Sequence, residues 1–393
     1  MLSPRQIFLN HIAQTSDTPL MIEVERAEGV YFYAPEGKAY LDLISGIGVS
    51  HVGHRHPKVL EAIQKQLDKY LHVMVYGELI QSPQNLFAQK ITAHLPESLS
   101  NVYFVNSGAE AIDGAMKLAK RFTGKTEFVS CYKSYHGSLQ GALSLGDETF
   151  KQAYRPLLPG IHKMHYGSFS DLEKVITPNT AAVIIEAVQG EAGVISACKP
   201  YFQALRRRCD QTGTLLILDE VQTGFGRTGK LWGFEHLDIV PDILVLAKGM
   251  GGGMPIGAFI SSSEKMAVLK NNPILGHITT FGGHPLCCAA GLASMEVILE
   301  EKLYEEAENK AQLFKKYLKH PKIREIRHKG LMMALIFDNF AQLKKIIDRA
   351  IERGVLTDWF LYCDHAMRIA PPLIIQEDEI RQACELLLEA IDD

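Results

Sequence analysis

The sequence lacks several features that are typical of secreted and membrane proteins. Its seven cysteines include no C-x-x-C pair and no spacing typical of a disulfide framework, and the adjacent Cys287 and Cys288 lie among small residues, which favours core packing. No apolar run approaches the length of a membrane span. The N-terminus, MLSPRQIFLN, lacks the cationic segment and the long apolar core of a signal peptide. We therefore expect a protein of a reducing, cytoplasmic compartment with no membrane association.

The charge balance excludes a further class of partner. With 41 Lys and Arg against 45 Asp and Glu, the formal net charge is −4, which gives no electrostatic reason to expect nucleic-acid binding. The length of 393 residues leaves room for two domains and a large core. A composition of 47% hydrophobic and 22% charged residues is typical of a soluble globular enzyme.

Three histidines near the N-terminus, His51, His54 and His56, superficially resemble a metal cluster. Pro57 and the helical periodicity behind it predict instead a loop that enters a helix. No Cys or carboxylate completes a ligand set, so we expect no metal site.

The central stretch of the chain is DILVLAKGMGGGMPIGA, residues 242–258. Its apolar and β-branched run predicts a buried strand of a parallel sheet, and the run ends on Lys248. Burial disfavours the ammonium form of lysine and makes the amine available as a nucleophile that can form a Schiff base. The alternative is that Lys248 only reaches out to solvent from the strand end. The glycines that follow would let a backbone or a cofactor approach closely.

A second apolar run, LLILDEV at residues 215–221, ends in the carboxylates of Asp219 and Glu220. Ligands of open α/β sheets bind outside the carboxyl ends of the strands, so two adjacent parallel strands would bring Asp219 and Lys248 to one site. The stretch between them is long enough for a crossover connection. A carboxylate facing a buried lysine is the arrangement that pyridoxal phosphate requires, because the lysine holds the aldehyde carbon and the acid keeps the pyridine nitrogen protonated.

A small-residue turn, Asn106 to Glu110, stands between a short strand at 102–105 and a helix at 111–122. The free N–H groups at such a helix N-terminus form an anion site. The same residues also fit a capping box, with Ser107 as the N-cap and Glu110 at its third position. Both interpretations can hold, since a capped helix can still bind phosphate.

The remaining pattern predicts an α/β protein with a mostly parallel sheet in a large domain, followed by a smaller α+β domain. We expect a short amphipathic helix over residues 1 to about 20 and a β-hairpin over residues 29–46. Further strands are expected at 127–131, 181–187, 256–261 and 331–337, and helices at 286–318, at 341–353 and from residue 377.

The run GFGRTG at residues 224–229 matches a dinucleotide fingerprint, but no clean helix opens at its last glycine and no acidic residue ends a second strand at the required distance. With Lys230 the run also matches a phosphate loop, yet Leu231 stands where Ser or Thr must bind magnesium. A nucleotide site is therefore disfavoured.

Seven segments, in the right order along nearly the whole chain, resemble class III pyridoxal-phosphate aminotransferases of fold type I, which include ornithine, acetylornithine and 4-aminobutyrate aminotransferases. They are NSGAEAIDGAMKLA (106–119), SYHG (134–137), IIEAVQGEAGV (184–194), LLILDEVQTGFGRTGKLW (215–232), DILVLAKGMGGGMPIGA (242–258), TTFGGHPL (279–286) and MRIAPPLII (367–375). The resemblance implies a large cofactor-binding domain at 46–305 and a small domain formed by 1–45 with 306–393.

The resemblance also implies roles for individual residues toward pyridoxal 5′-phosphate. Lys248 corresponds to the Schiff-base lysine and proton shuttle, and Asp219 to the partner of the pyridinium nitrogen. Val221 corresponds to the residue packed against the ring and Gln222 to the residue near the phenolic oxygen. Tyr135 takes the place of the aromatic residue that stacks on the other ring face, where the family more often has Phe.

The phosphate group has its own set of corresponding residues. Ser107, Gly108 and Ala109 match the phosphate cradle. Thr280 matches a threonine that reaches the phosphate of the neighbouring subunit, which implies a homodimer with shared active sites. His284 departs from the pattern, because the family usually has Asn there.

Two further residues bear on the substrate. Arg368 resembles the arginine that binds the α-carboxylate of glutamate, and Glu191 resembles the switch that pairs with this arginine when the donor presents a terminal amine. Relatives acting on ornithine or N-acetylornithine usually carry Arg where this chain has Ser138. The resemblance implies transfer of an ω-amino group from an ornithine, N-acylornithine or 4-aminobutyrate type donor to 2-oxoglutarate, giving glutamate. Diamines and β-amino acids remain open as donors, and a mutase, epimerase or decarboxylase on the same scaffold is the alternative activity.

Overall fold

The computed structural model of the protein describes residues 2–393, which form three sheets and their covering helices. The strands are β1 (Arg26–Glu28), β2 (Tyr31–Tyr33), β3 (Ala39–Asp42), β4 (Asn101–Val105), β5 (Glu127–Cys131), β6 (Ile161–Met164), β7 (Thr180–Glu186), β8 (Leu215–Asp219), β9 (Ile243–Leu246), β10 (Gly257–Ser261), β11 (Glu325–Lys329), β12 (Met332–Ile336), β13 (Val355–Leu356), β14 (Trp359–Phe360) and β15 (Cys363–Ile369).

The helices lie mostly between these strands. They are α1 (Pro4–His11), α2 (Ser45–Gly48), α3 (Pro57–Leu67), α4 (Ser82–Thr92), α5 (Gly108–Thr123), α6 (Gln140–Ser144), α7 (Glu148–Lys151), α8 (Phe169–Val175), α9 (Lys199–Thr212), α10 (Ser263–Met266), α11 (Pro285–Glu300), α12 (Leu303–Tyr317), α13 (Phe340–Glu352) and α14 (Glu377–Asp392). Short 3₁₀ turns occupy Gln152–Tyr154, Gly233–His236, Lys248–Gly251 and Ala267–Lys270. Among the described residues, no helix combines the length and the apolar character that a membrane crossing requires.

The central sheet has seven strands in the order β4-β10-β9-β8-β7-β5-β6. The neighbours from β9 through β8, β7 and β5 to β6 pair in parallel, and β10 runs antiparallel to both β9 and β4. The predicted mostly parallel sheet is confirmed. Every residue of β7, β8 and β9 is buried, as expected for parallel strands with both faces covered. Burying one of their Ile or Leu side chains contributes roughly 1.5–3 kcal/mol.

The helix α5 shows how the sequence fixes one layer over this sheet. Its N-cap is Ser107, and it ends at Gly124, which adopts the left-handed conformation with φ of 71°. Gly114 faces the sheet, where a Cβ atom would lie 2.4 Å from the ring of Phe259. A larger residue at position 114 would therefore clash with Phe259 on β10 and push the helix away from the sheet.

Two smaller sheets flank the central one. The predicted hairpin over residues 29–46 is confirmed by antiparallel pairing of β2 with β3. In the same sheet β3 pairs in parallel with β13, with Leu41 opposite Val355, so N-terminal and C-terminal segments share one sheet. The other sheet has the order β11-β12-β15-β14. The proposed domain boundaries at 45/46 and 305/306 stay a prediction.

The structure tests three predictions about individual helices. Helix α3 begins at Pro57 with His56 as its N-cap, which confirms the loop-to-helix interpretation of the histidines. Residues 286–318 divide into α11 and α12 at Lys302, which adopts a left-handed conformation with φ of 51°. The N-terminal helix is shorter than predicted, since α1 ends at His11 and buries none of its residues.

The GFGRTG loop at residues 224–229 has a structural role. Arg227 is buried, and its guanidinium donates to the carbonyl oxygens of Leu331 and Pro371 at 3.1 and 2.6 Å. Burial lowers the pKa of Arg227 to about 9. The loop therefore fastens the end of β8 to the C-terminal part of the chain.

Candidate active site

The two strands predicted to meet are neighbours in the central sheet. β8 and β9 pair in parallel, with Ile217 opposite Ile243 and Asp219 opposite Val245. Beyond their carboxyl ends lies a cavity of about 500 Å³. Its lining includes Asn106, Ser107, Gly108, Ala109, Tyr135, His136, Ser138, Glu186, Val188, Asp219, Val221, Gln222 and Lys248. The structure thus brings together nearly all the residues that the sequence assigned to the cofactor.

Lys248 follows β9 at the first position of a 3₁₀ turn. Its φ of 49° is in the left-handed region, which is uncommon for a residue with a side chain and is found at functional sites. Burial lowers the pKa of the Lys248 amine to about 8, although the negative charge of Glu191 opposes the shift. A substantial fraction of the amine is therefore neutral near physiological pH, as a nucleophile or a proton acceptor requires.

Asp219 is fixed by its surroundings at one end of the cavity. Its Oδ1 accepts a hydrogen bond from the Val221 N–H at 3.0 Å, and its Oδ2 lies 2.7 Å from Nδ1 of His136. Nε2 of His136 is buried and has no hydrogen-bond partner within the described chain. The motif SYHG pointed to this region, but the sequence did not single out His136.

The helix α5 presents its N-terminus to the same cavity. Ser107 is the N-cap, and its Oγ accepts from the Glu110 N–H at 3.2 Å. The second half of the predicted capping box is wrong. The Glu110 carboxylate accepts at 2.8 Å from the N–H of Asn106, because it reaches one residue further back than Ser107. The N–H groups of Gly108 and Ala109, in the first turn, remain for an anion.

Glu186 and Tyr135 also line this cavity. The Glu186 carboxylate accepts from the backbone N–H of Tyr135 at 3.2 Å and from that of Gly190 at 2.9 Å. Burial, aided by the negative charge of Asp219, raises the pKa of Glu186 to about 8. The sequence did not identify this residue as part of the site. The Tyr135 hydroxyl lies 3.2 Å from Oγ of Ser138 at the cavity mouth.

A second cavity adjoins the first, and both are lined by Tyr135 and Lys248. In it Arg368 forms a two-pronged ion pair with Glu191, with N–O distances of 2.9 and 3.0 Å. Burial alone would raise the pKa of Glu191, but the guanidinium of Arg368 outweighs it and lowers the pKa to about 2. The Glu191 carboxylate also accepts from Nε2 of Gln222 at 3.1 Å. Gln222 therefore connects the two cavities.

The sequence led us to expect a close approach of backbone or cofactor at the glycines after Lys248. At Gly249 the structure shows a close approach to the ring of His51, where a Cβ would lie 2.5 Å away, so this glycine permits side-chain packing. Thr280 does not line either cavity and lies on an exposed segment of its own chain. Its assigned contact with a neighbouring subunit stays a prediction.

The residues present fit pyridoxal phosphate. The cavity offers a helix N-terminus for a phosphate, a buried carboxylate for a ring nitrogen and an amine for an aldehyde carbon. A Cβ at Gly108 would lie 3.0 Å from Val221, so a larger residue at this position would crowd Val221 in the cavity lining. These features define a cofactor-dependent transferase of fold type I.

Comparison with known proteins gives the family. Residues 12–391 match the family model of aminotransferase class-III. The chain is 40% identical over 369 residues to an acetylornithine aminotransferase of Methanopyrus kandleri, covering 93% of this chain and 92% of the relative. It is 41% identical over 372 residues to one of Methanosarcina mazei, covering 90% and 88%.

Solved structures of two aminotransferases have a similar fold. An ornithine aminotransferase from Toxoplasma gondii matches with a TM-score of 0.91 at 28% identity, covering 99% of this chain and 95% of the other. A transaminase from the marine bacterium Virgibacillus matches with a TM-score of 0.91 at 29% identity, covering 98% and 97%. The chain belongs to the class III aminotransferase family and is a pyridoxal-phosphate-dependent aminotransferase.

Proposed function

We propose that the protein transfers an ω-amino group from an ornithine, N-acylornithine or 4-aminobutyrate type donor to 2-oxoglutarate, giving glutamate. The observation that carries this proposal is the buried ion pair of Arg368 with Glu191 beside Lys248. While a terminal amine of the donor occupies the pocket, the Glu191 carboxylate neutralises the charge of Arg368. When Glu191 moves away, the Arg368 guanidinium can bind a substrate carboxylate through two hydrogen bonds.

The site assignments made from the resemblance are part of this proposal. Ser107, Gly108 and Ala109 would hold the phosphate, Asp219 would hold the ring nitrogen, and Val221 and Tyr135 would flank the ring. The cofactor supplies a reactive aldehyde and a ring that withdraws electrons from the substrate carbon. His136 keeps the Asp219 carboxylate in position through the 2.7 Å contact.

Lys248 carries out the proton transfer in this account. Its amine, with a pKa lowered to about 8 by burial, accepts the proton that leaves the substrate carbon bearing the amino group. Because Lys248 stands between the two cavities, the proton moves within reach of both substrate and cofactor. Glu191 and Arg368 do not take part in proton transfer; they select which end of the substrate enters.

The relatives favour N-acylornithine among the donors, since several are acetylornithine aminotransferases at 36–41% identity. Ser138 argues against a close copy of their substrate contacts, because the arginine usual there is missing. We therefore expect a donor whose distal end binds without a guanidinium at position 138.

The proposal includes a cytoplasmic homodimer with shared active sites. Support comes from a run of exposed apolar side chains next to Thr280, namely Ile274, Leu275, Ile278 and Phe281, and from Ile80, which is 93% exposed. A cluster of exposed apolar side chains is the kind of surface that a partner protein covers. A partner at this surface would bring its own Thr280 toward a phosphate, as the resemblance implies.

The test is a half-reaction screen on the purified yellow holoenzyme. Ornithine, N-acetylornithine, 4-aminobutyrate and L-glutamate are each added alone, and the absorption of the bound cofactor is followed. Conversion by L-glutamate and by one ω-amine, with recovery on adding 2-oxoglutarate, is the expected result. Turnover of an amine without any oxo acid would instead favour the mutase, epimerase or decarboxylase.

A further inference from the structure

Arg368 has more partners than the exchangeable one. Nε of Arg368 donates to Oδ1 of Asp358 at 2.8 Å, on the side of the guanidinium away from the Glu191 carboxylate. The guanidinium carbon lies 4.4 Å from the ring centroid of Phe360, and Nη2 reaches the carbonyl oxygen of Trp359 at 3.5 Å. Asp358, Trp359 and Phe360 are consecutive residues.

These residues belong to the same hairpin as Arg368. β14 pairs with β15, and the Arg368 N–H donates to the Asp358 carbonyl oxygen at 2.9 Å. The Thr357 hydroxyl donates to the Arg368 carbonyl oxygen at 2.6 Å. Asp358 is therefore directly across the strand pair from Arg368, and these contacts hold its backbone at that position.

Glu191, in contrast, comes from a distant part of the chain, after β7. It has other partners of its own, since its oxygens accept from Gln222 Nε2 at 3.1 Å and from the Leu361 N–H at 3.2 Å. Its departure from Arg368 would leave Asp358 as the only carboxylate on the guanidinium among the described residues.

We infer that Asp358 is the positioning residue that keeps the Arg368 guanidinium aimed at the pocket when Glu191 leaves it. The inference rests on the proposed function, in which a substrate carboxylate takes the place of Glu191. Asp358 holds Nε, so the two terminal nitrogens stay directed at the incoming carboxylate. While Glu191 is in place, Arg368 is held from both sides, and Asp358 matters less.

The consequence is an asymmetry between the two half-reactions. Removing the Asp358 oxygen should weaken binding of dicarboxylates that need the free guanidinium, and it should leave the ω-amine half-reaction nearly unchanged. Because the role is a hydrogen bond to Nε, an uncharged acceptor should replace it. Asp358→Asn keeps such an oxygen, whereas Asp358→Ala removes it.

The experiment measures glutarate binding to the holoenzyme by titration calorimetry. Glutarate has two carboxylates but no amino or oxo group, so it binds without reacting. We expect Asp358→Ala to weaken its affinity about tenfold and Asp358→Asn to weaken it less than about threefold. Asp364→Ala is the matched control, because Asp364 lies on the same hairpin, is exposed and, among the described residues, its carboxylate pairs only with His365. If Asp358→Ala fails to fold, Asp358→Ser replaces it, since its hydroxyl is too short to reach Nε.

A second measurement separates this inference from the proposed function. Wild-type holoenzyme is given L-glutamate alone; no change in cofactor absorption would refute the proposed function itself. In Asp358→Ala the glutamate concentration for half-maximal conversion should rise about tenfold, with an ω-amine response within about twofold of wild type. Glutarate affinity that is unchanged or tighter in Asp358→Ala, or an Asp358→Asn variant as weak as Asp358→Ala, would overturn the positioning role.

Discussion

The Nδ1 atom of His136 lies 2.7 Å from Oδ2 of Asp219, and both side chains are buried. Replacing His136 with Ala leaves that carboxylate oxygen without its partner, at a cost of about 1–3 kcal/mol. We expect kcat to fall by roughly 5- to 150-fold, which corresponds to about 1–3 kcal/mol, because a displaced Asp219 would stabilise the transition state less than the substrate complex. Steady-state kinetics with saturated cofactor measure this. An unchanged kcat would mean that His136 does not position Asp219.

The pocket ion pair predicts how stability depends on pH. The pKa of Glu191 is lowered from its usual 4.5 to about 2 in the folded protein, chiefly by Arg368 acting against burial. A lowered carboxyl pKa contributes stability that is present above about pH 4.5 and is lost as the pH falls toward 2. Between pH 6 and pH 3 this one group should account for roughly 2 kcal/mol of lost unfolding free energy.

The matched variant for that prediction is Glu191→Gln. The free energy of unfolding, measured with denaturant at several pH values, should fall less steeply on acidification in the variant than in the wild type. A pH dependence identical in the two proteins would show that Glu191 is not paired with Arg368 in the folded state.

The residue at position 138 offers a gain-of-function prediction. Ser138 lines the cofactor cavity at its mouth and contacts the Tyr135 hydroxyl. Ser138→Arg would introduce a guanidinium where the ornithine and acetylornithine enzymes usually carry one. The new guanidinium would donate a charged hydrogen bond, worth about 1.5–3 kcal/mol, to a carboxylate of 2-oxoglutarate. The KM for 2-oxoglutarate should therefore fall by roughly tenfold or more. Ser138→Ala is the control, and equal KM values in both variants would contradict this account of the pocket.

The exposed apolar surface predicts an assembly. Sedimentation analysis should give the mass of a dimer. Phe281→Asp, at a side chain that is 54% exposed in the single chain, should shift it toward monomer and reduce cofactor retention. Val240→Asp is the control, because Val240 is also exposed but far along the chain from the Thr280 segment. Dissociation in the control, or none in Phe281→Asp, would argue against this surface.

The sequence indicated the centre of the fold because buried parallel strands are continuous apolar runs. β8 and β9 could be recognised on that basis, and so could the polar residues at their ends, Asp219 and Lys248. β6 was not predicted, since this edge strand is only partly buried and reads IHKM. Such a short, half-polar segment has no distinctive period.

Glu186 and Asp358 were not predicted from the sequence for a different reason. Glu186 ends a strand that was predicted, but its contact with the Tyr135 backbone depends on how β7 packs beside the following loops. Asp358 lies outside every recognisable motif and reaches Arg368 only through the pairing of β14 with β15. Local sequence carries no information on either contact, because both depend on tertiary packing.

The most direct test of the account is Lys248→Ala. The variant is purified with added pyridoxal phosphate and assayed with L-glutamate and an ω-amine, beside Lys319→Ala as an exposed lysine control. We predict that steady turnover is abolished, because the variant lacks the amine that we propose as the proton carrier and that lines both cavities. We also predict that the cofactor still binds non-covalently. Retained steady turnover in Lys248→Ala would contradict the central claim.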